Sequence, residues 1–194
     1  IIDGATDSVV ATVSTGVNPW AFCHNTRDNR IHAANMESDD ITIIDGVTNQ
    51  VVGTVFSGDH PWAICYNPQD NKVYCANHLG KNVTIVDATT NRVISALTVG
   101  EIPIDLCYCP RENRVYCATN YDSSVAVIDG TTDQVVATVP VGVAPQLAAM
   151  TQYINSGTAG IIQAAGAAAI RQGEPTVEAI RERLKTGLDL AYER

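Results

Sequence analysis

The chain repeats itself at a fixed interval. Ile1-Ile2-Asp3, Ile43-Ile44-Asp45, Ile85-Val86-Asp87 and Val127-Ile128-Asp129 follow one another at steps of 42 residues. The likeness runs well past the triplets. Asn18-Pro19-Trp20-Ala21 returns as His60-Pro61-Trp62-Ala63, and Arg30-Ile31-His32-Ala33-Ala34-Asn35 returns as Lys72-Val73-Tyr74-Cys75-Ala76-Asn77 and Arg114-Val115-Tyr116-Cys117-Ala118-Thr119. A constant period in this range marks a tandem array, in which each unit buries its apolar face only against a neighbour.

Within a unit the apolar residues come in short β-branched runs broken by turn formers, which predicts strands. In the second unit these are Pro61–Tyr66, Lys72–Asn77, Val83–Asp87 and Arg92–Val99, separated by Asn67–Asn71, His78–Asn82 and Ala88–Asn91, with Gly100 at the crossing to the next unit. Four short antiparallel strands per period is the content of one β-propeller blade. The predicted class is therefore all-β: three full blades over residues 18–142, preceded by the last two strands of another blade in residues 1–17. Ala144–Met150 offers one further strand. Half a blade plus three leaves strand edges unpaired, so the expectation is a longer polypeptide or a ring shared between chains. The start in mid-repeat, with no basic leader before it, suggests a processed or truncated protein.

The hairpin line Thr42-Ile43-Ile44-Asp45-Gly46-Val47-Thr48-Asn49-Gln50-Val51-Val52-Gly53-Thr54-Val55 resembles the V-I-D-x-x-T-N-x-V-x-x-T-V line of the YVTN-type β-propeller repeats of bacteria and archaea. The namesake tetrad has an altered counterpart in Tyr74-Cys75-Ala76-Asn77 and Tyr116-Cys117-Ala118-Thr119, and His32-Ala33-Ala34-Asn35 in the first copy. The resemblance covers residues 1–145 and implies a propeller, with an extracellular, cell-surface or periplasmic location. It does not imply one activity, because a fold hosts many.

Repetition also argues what the hairpin residues are for. Asp3, Asp45, Asp87 and Asp129, with Thr48, Thr90 and Thr132, have the side chains that bond neighbouring main-chain N–H groups in tight turns. A set built four times over is read as turn chemistry, and no catalytic residue is assigned.

After Pro145 the pattern changes. Residues 146–194 are read as a helical hairpin: Gly157–Gln172 is alanine-rich, and Val177, Ile180, Leu184, Leu188 and Tyr192 form an apolar stripe at helical spacing. This segment also resembles a stretch of fold-type I, pyridoxal-phosphate-dependent aminotransferases that lies beyond the Schiff-base lysine, in Ile154-Asn155-Ser156-Gly157-Thr158-Ala159 and Gln163–Ala169. The lysine motif itself is missing, so the resemblance implies no transamination; a gene fusion, an engineered graft and coincidence among alanine-rich helices are the three readings of its origin.

Charge narrows the partners. Residues 1–145 carry 16 acidic and 7 basic side chains, a net of −9, and residues 146–194 carry 5 of each. An acidic array lacks the basic face that a nucleic acid requires, and no apolar run is long enough to span a membrane as a helix. A protein partner, self-association or a divalent cation is compatible with it.

Three groups of residues remain as site candidates. Cys65 with Cys75, and Cys107 with Cys117, are placed opposite each other and are possible disulfides, with small buried hydrophobes as the alternative. His24 and His32 are placed facing each other where later blades carry tyrosines, and with His78 they are the metal-ligand candidates. Asp39-Asp40, His78 and Tyr121-Asp122 are placed on one rim, where a cation is conceivable. Trp20 and Trp62 share a register position and read as inter-blade packing. The functional expectation is a non-catalytic binding or assembly scaffold without a cofactor. The alternatives are the propeller portion of an oxidoreductase or lactonase-like enzyme, with a metal or cofactor in the central channel, or a fusion docking through its tail.

Overall fold

The computed structural model describes residues 1–141. The C-terminal helical hairpin, the extra strand from Ala144 and the boundary at residue 145 lie outside the described residues. Residues 1–141 hold fourteen strands and no helix. A two-stranded ribbon, β1 (Ile2–Asp3) with β2 (Ser8–Val9), precedes three four-stranded meanders. Blade 1 comprises β3 (Pro19–Asn25), β4 (Arg30–Asn35), β5 (Asp40–Asp45) and β6 (Val51–Phe56). Blade 2 comprises β7 (Pro61–Asn67), β8 (Lys72–Asn77), β9 (Asn82–Asp87) and β10 (Arg92–Thr98). Blade 3 comprises β11 (Pro103–Cys109), β12 (Arg114–Thr119), β13 (Ser124–Asp129) and β14 (Gln134–Pro140).

Strands pair only with their sequence neighbours, all antiparallel, and the three sheets stay separate. Their first strands lie side by side, with β7 between β3 and β11. The side-chain alternation of a strand then gives each blade two apolar faces. In blade 2, Ile64, Val73, Cys75 and Val86 pack on Ala34, Ile41, Ile43 and Val55 of blade 1. The intervening residues Ala63, Tyr74, Ala76, Val83 and Ile85 pack on Val115, Cys117, Ala126 and Ile128 of blade 3. This two-sided burial explains why the middle strands read as near-continuous apolar runs.

Turn chemistry fixes the meander. Asp45 Oδ1 accepts the N–H groups of Val47 and Thr48 and the Thr48 hydroxyl at 2.8–3.0 Å. Asp3 does the same with Ala5 and Thr6, Asp129 with Thr131 and Thr132, and Asp87 with the N–H groups of Thr89 and Thr90. These donors stabilise the ionised form, so the Asp3, Asp45 and Asp129 carboxyls sit below their ordinary pKa. The Thr6, Thr48 and Thr132 hydroxyls donate to the carboxylate, whereas the sequence reading aimed the threonines at the main chain. Each hairpin closes with a left-handed residue, Asp7, Asn49, Asn91 or Asp133, from the residue types that tolerate that region best.

A second turn explains where the sequence reading of the first hairpin errs. Asn67 Oδ1 accepts the N–H groups of Gln69 and Asp70 at 2.9 and 3.2 Å, which closes a four-residue loop on the pair Asn67–Lys72. The register is thereby set one residue away from the expected one. Cys65 lies opposite Tyr74, and Cys75 opposite Ile64. Cys65 and Cys75 therefore face different neighbouring blades, and Cys107, opposite Tyr116, lies on the other face of its sheet from Cys117, opposite Leu106. Neither pair can form a disulfide across the hairpin, and Cys65, Cys75 and Cys117 are free thiols. Burial raises all three thiol pKa values, which removes thiolate reactivity.

Polar side chains latch blade to blade near the same rim. Lys72 Nζ of blade 2 donates to the Gly130 carbonyl and to both oxygens of Asp133 in blade 3, at 2.8–2.9 Å. Arg30 of blade 1 reaches the equivalent Ala88 carbonyl and Asn91 Oδ1 of blade 2 at 3.4 Å. Across the 1–2 seam Asn71 Nδ2 donates to Asp28, and across the 2–3 seam Asn113 Nδ2 donates to Asp70. The repeat period thus encodes inter-blade contacts as well as strands.

Candidate functional site

The opposite rim carries the turns between second and third strands and the crossings between blades. There Asp39 and His60 both adopt left-handed backbone, at φ 57° and 55°. The repeat uses that conformation at both positions in every blade, as Lys81, Ser123, Asn18 and Ile102 show. It swings the crossing of blade 2 against the turn of blade 1. The His60 N–H donates to Asp39 Oδ1 at 2.9 Å, and His60 Nδ1 lies 2.8 Å from Asp59 Oδ1 and 3.9 Å from Asp39 Oδ1. Asp39, Asp59 and His60 each offer a ligand atom within 4.8 Å of the others.

An aromatic row adjoins this cluster. A bulge between Pro61 and Ala63 leaves Trp62 out of the strand pairing, as one between Pro19 and Ala21 does for Trp20. The two indoles meet at 4.7 Å between centroids, and Trp62 stacks on the His78 imidazole at 4.9 Å. His78 is anchored by its N–H to the His60 carbonyl at 2.8 Å. Partial burial, with the neighbouring His60, lowers the His78 pKa. Trp62, the middle ring, packs partly buried against the blade 2–3 core, while Trp20 at one end of the row is 50% exposed.

The histidines proposed from sequence do not converge. His32 pairs with Cys23 and His24 with Ile31, so their rings occupy opposite faces of blade 1. His24 Nε2 contacts Asn29 Oδ1 at 3.2 Å on the far rim. His32 is fully buried, and neither ring nitrogen has a partner. The repeat explains this. Tyr74, its counterpart, reaches Asp133 of the next blade with its hydroxyl at 3.2 Å, whereas imidazole is too short to reach the corresponding Asn91. Of the predicted rim residues, Asp39 belongs to the cluster. Asp40 instead accepts a hydrogen bond from Asn35 at 2.6 Å, and Asp122 and the exposed Tyr121 belong to the next seam. Asp59 and His60 escaped the sequence reading. Their signal was present: His60 stands where the repeat has Asn18 and Ile102, and Asp59 where it has Val17 and Glu101.

His32 has a measurable consequence. Burial, with Arg30 nearby, lowers its pKa to about 4. The unfolded chain, with an ordinary value near 6.5, therefore binds more protons between about pH 4 and 6.5. Stability is fully present above that window and falls as pH drops through it. Urea unfolding at pH 5 and pH 7 should differ by about 2 kcal/mol more in the wild type than in His32→Tyr. Equal pH dependence in the two proteins would refute the assignment.

Comparison with known proteins places the fold. No family model matches the chain, and neither does any curated protein. Among solved structures, the chain is similar to Kuenenia stuttgartiensis hydrazine synthase, with a TM-score of 0.59 and 21% identity over 68% of this chain. It is also similar to apo AztD from Citrobacter koseri, with a TM-score of 0.54 and 11% identity over 68% of this chain. The chain spans 38% and 37% of the length of those two proteins. At such identities the likeness speaks for the fold alone. Repeated four-stranded antiparallel sheets, packed face to face with their first strands adjacent, define a β-propeller-like protein.

Proposed function

We propose that this chain is a YVTN-type propeller array that acts as a non-catalytic assembly scaffold, part of a larger or oligomeric propeller whose added strands dock against blade 1. One comparison carries the reading. Phe22 of β3 stands at the register of Ile64 and Leu106, both of which pack in the seam with the preceding blade. Ile64 is 9% exposed, but Phe22 is 58% exposed. Blade 1 thus has a seam-type face whose aromatic side chain, Phe22, remains open to solvent, and apolar surface of this kind marks an interaction site. Sedimentation equilibrium of the full chain tests it. Species above the 20.7 kDa of one chain are expected, reverting to that mass in Phe22→Glu with an unchanged circular dichroism spectrum. A monomer at all concentrations, or an assembly indifferent to Phe22→Glu, would contradict the reading.

A further inference from the structure

We infer that Asp39, Asp59 and His60 form a binding site for a divalent first-row transition ion of zinc-like preference. The inference does not depend on the assembly reading. Two blades contribute: Asp39 from the turn after β4, and Asp59 and His60 from the crossing into β7. One ligand atom from each residue lies within 4.8 Å of the other two. A tetrahedral ion with bonds of about 2.0–2.2 Å holds its ligands about 3.3–3.6 Å apart. The distances from His60 Nδ1 to Asp59 Oδ1 and Asp39 Oδ1, 2.8 and 3.9 Å, lie on either side of that spacing.

The next seam of the same protein supplies the second argument. At the register of Asp39 it has Lys81, at that of Asp59 it has Glu101, and the ammonium and carboxylate meet at 2.7 Å. A cation thus joins turn and crossing there. In the seam between blades 1 and 2 the lysine is replaced by a second carboxylate, so no side-chain ammonium stands beside the two negative charges there. Among the described residues no lysine or arginine pairs with Asp39 or Asp59; their one partner of that kind is His60. Where that seam has an ammonium, this one has the His60 imidazole between the two carboxylates, and an imidazole, unlike an ammonium, can ligate a metal.

The donor set selects the ion. Calcium and magnesium take oxygen ligands, whereas an imidazole with two carboxylates is a borderline set that suits zinc and its neighbours. Three protein ligands leave a fourth position of a tetrahedral ion open.

Calorimetric titration of zinc into the chelator-treated full chain at pH 7 tests this. One site per chain is expected. Cobalt should give the visible absorption of a tetrahedral centre without the intense ultraviolet bands of thiolate ligation. His60→Ala and Asp59→Asn should abolish the signal, and His24→Ala should leave it intact. Asp39→Lys is the decisive variant. It installs the pair present at Lys81 and Glu101, so zinc binding should vanish while the thermal midpoint is retained. Absence of zinc binding, binding undiminished in Asp39→Lys or His60→Ala, thiolate bands with cobalt, or calcium bound as tightly as zinc would each overturn the site.

Discussion

Tyr74→Ala should lower the unfolding free energy by about 3–5 kcal/mol, the range for truncating a large buried ring. Tyr74 is 0% exposed and lies in the seam between blades 2 and 3, among the side chains of Ala76, Ile85, Val115 and Ile128. Removing the ring empties a volume walled by two sheets, and neither can collapse into it without distorting its own ladder. The hydroxyl adds a smaller part. It donates to Asp133, which keeps Lys72 as a partner, so Tyr74→Phe should cost about 1 kcal/mol. Burial beside Asp133 raises the phenol pKa, so the hydroxyl remains a donor through the neutral range. Equilibrium urea unfolding followed by far-ultraviolet circular dichroism measures both. A loss below about 1 kcal/mol for Tyr74→Ala would mean that the ring is not enclosed between blades.

Lys72→Met ranks second, with an expected loss of about 2–3 kcal/mol. Lys72 and Asp133 are each only 15% exposed, and the ammonium also holds the Gly130 carbonyl. Deleting the cation leaves a carboxylate largely out of water with one weak donor, Tyr74, beside it. The cost is therefore that of stranding Asp133 more than that of losing attraction. Lys72→Met with Asp133→Leu should accordingly recover most of the stability. The first seam calibrates the claim: Arg30 meets a carbonyl and an amide at 3.4 Å and no carboxylate, so Arg30→Met should cost about 1 kcal/mol. Equal losses at positions 30 and 72 would refute the buried ion pair as the source.

The two seams also show what the sequence could disclose. Strand content, the four-strand period and the separation of blades were legible, because a constant interval with turn residues at constant offsets has few physical solutions. Hairpin register was not legible. It depends on whether Asn67 caps a four- or five-residue loop, and one residue moves every side chain to the other face. That slip accounts for the disulfide pairs at Cys65/Cys75 and Cys107/Cys117 and for the facing pair His24/His32. The rim cluster was legible in principle. Asp39, Asp59 and His60 stand at positions where the copies differ from one another, but Asp39 is 20 residues from Asp59. Only the left-handed backbone at Asp39 and His60 shows that a turn and a crossing meet there. Polarity alone pointed to Asp40 and Tyr121, which the fold uses elsewhere.

The central claim is that the repeats form separate sheets packed face to face, and nuclear Overhauser spectroscopy on methyl-labelled protein tests it most directly. The account predicts cross-peaks from Tyr74 and Ile85 of blade 2 to the methyl groups of Val115 and Ile128 of blade 3, without backbone cross-peaks between β10 and β11. Strong Hα–Hα cross-peaks between β10 and β11, with none between those side chains, would show one continuous sheet and contradict it.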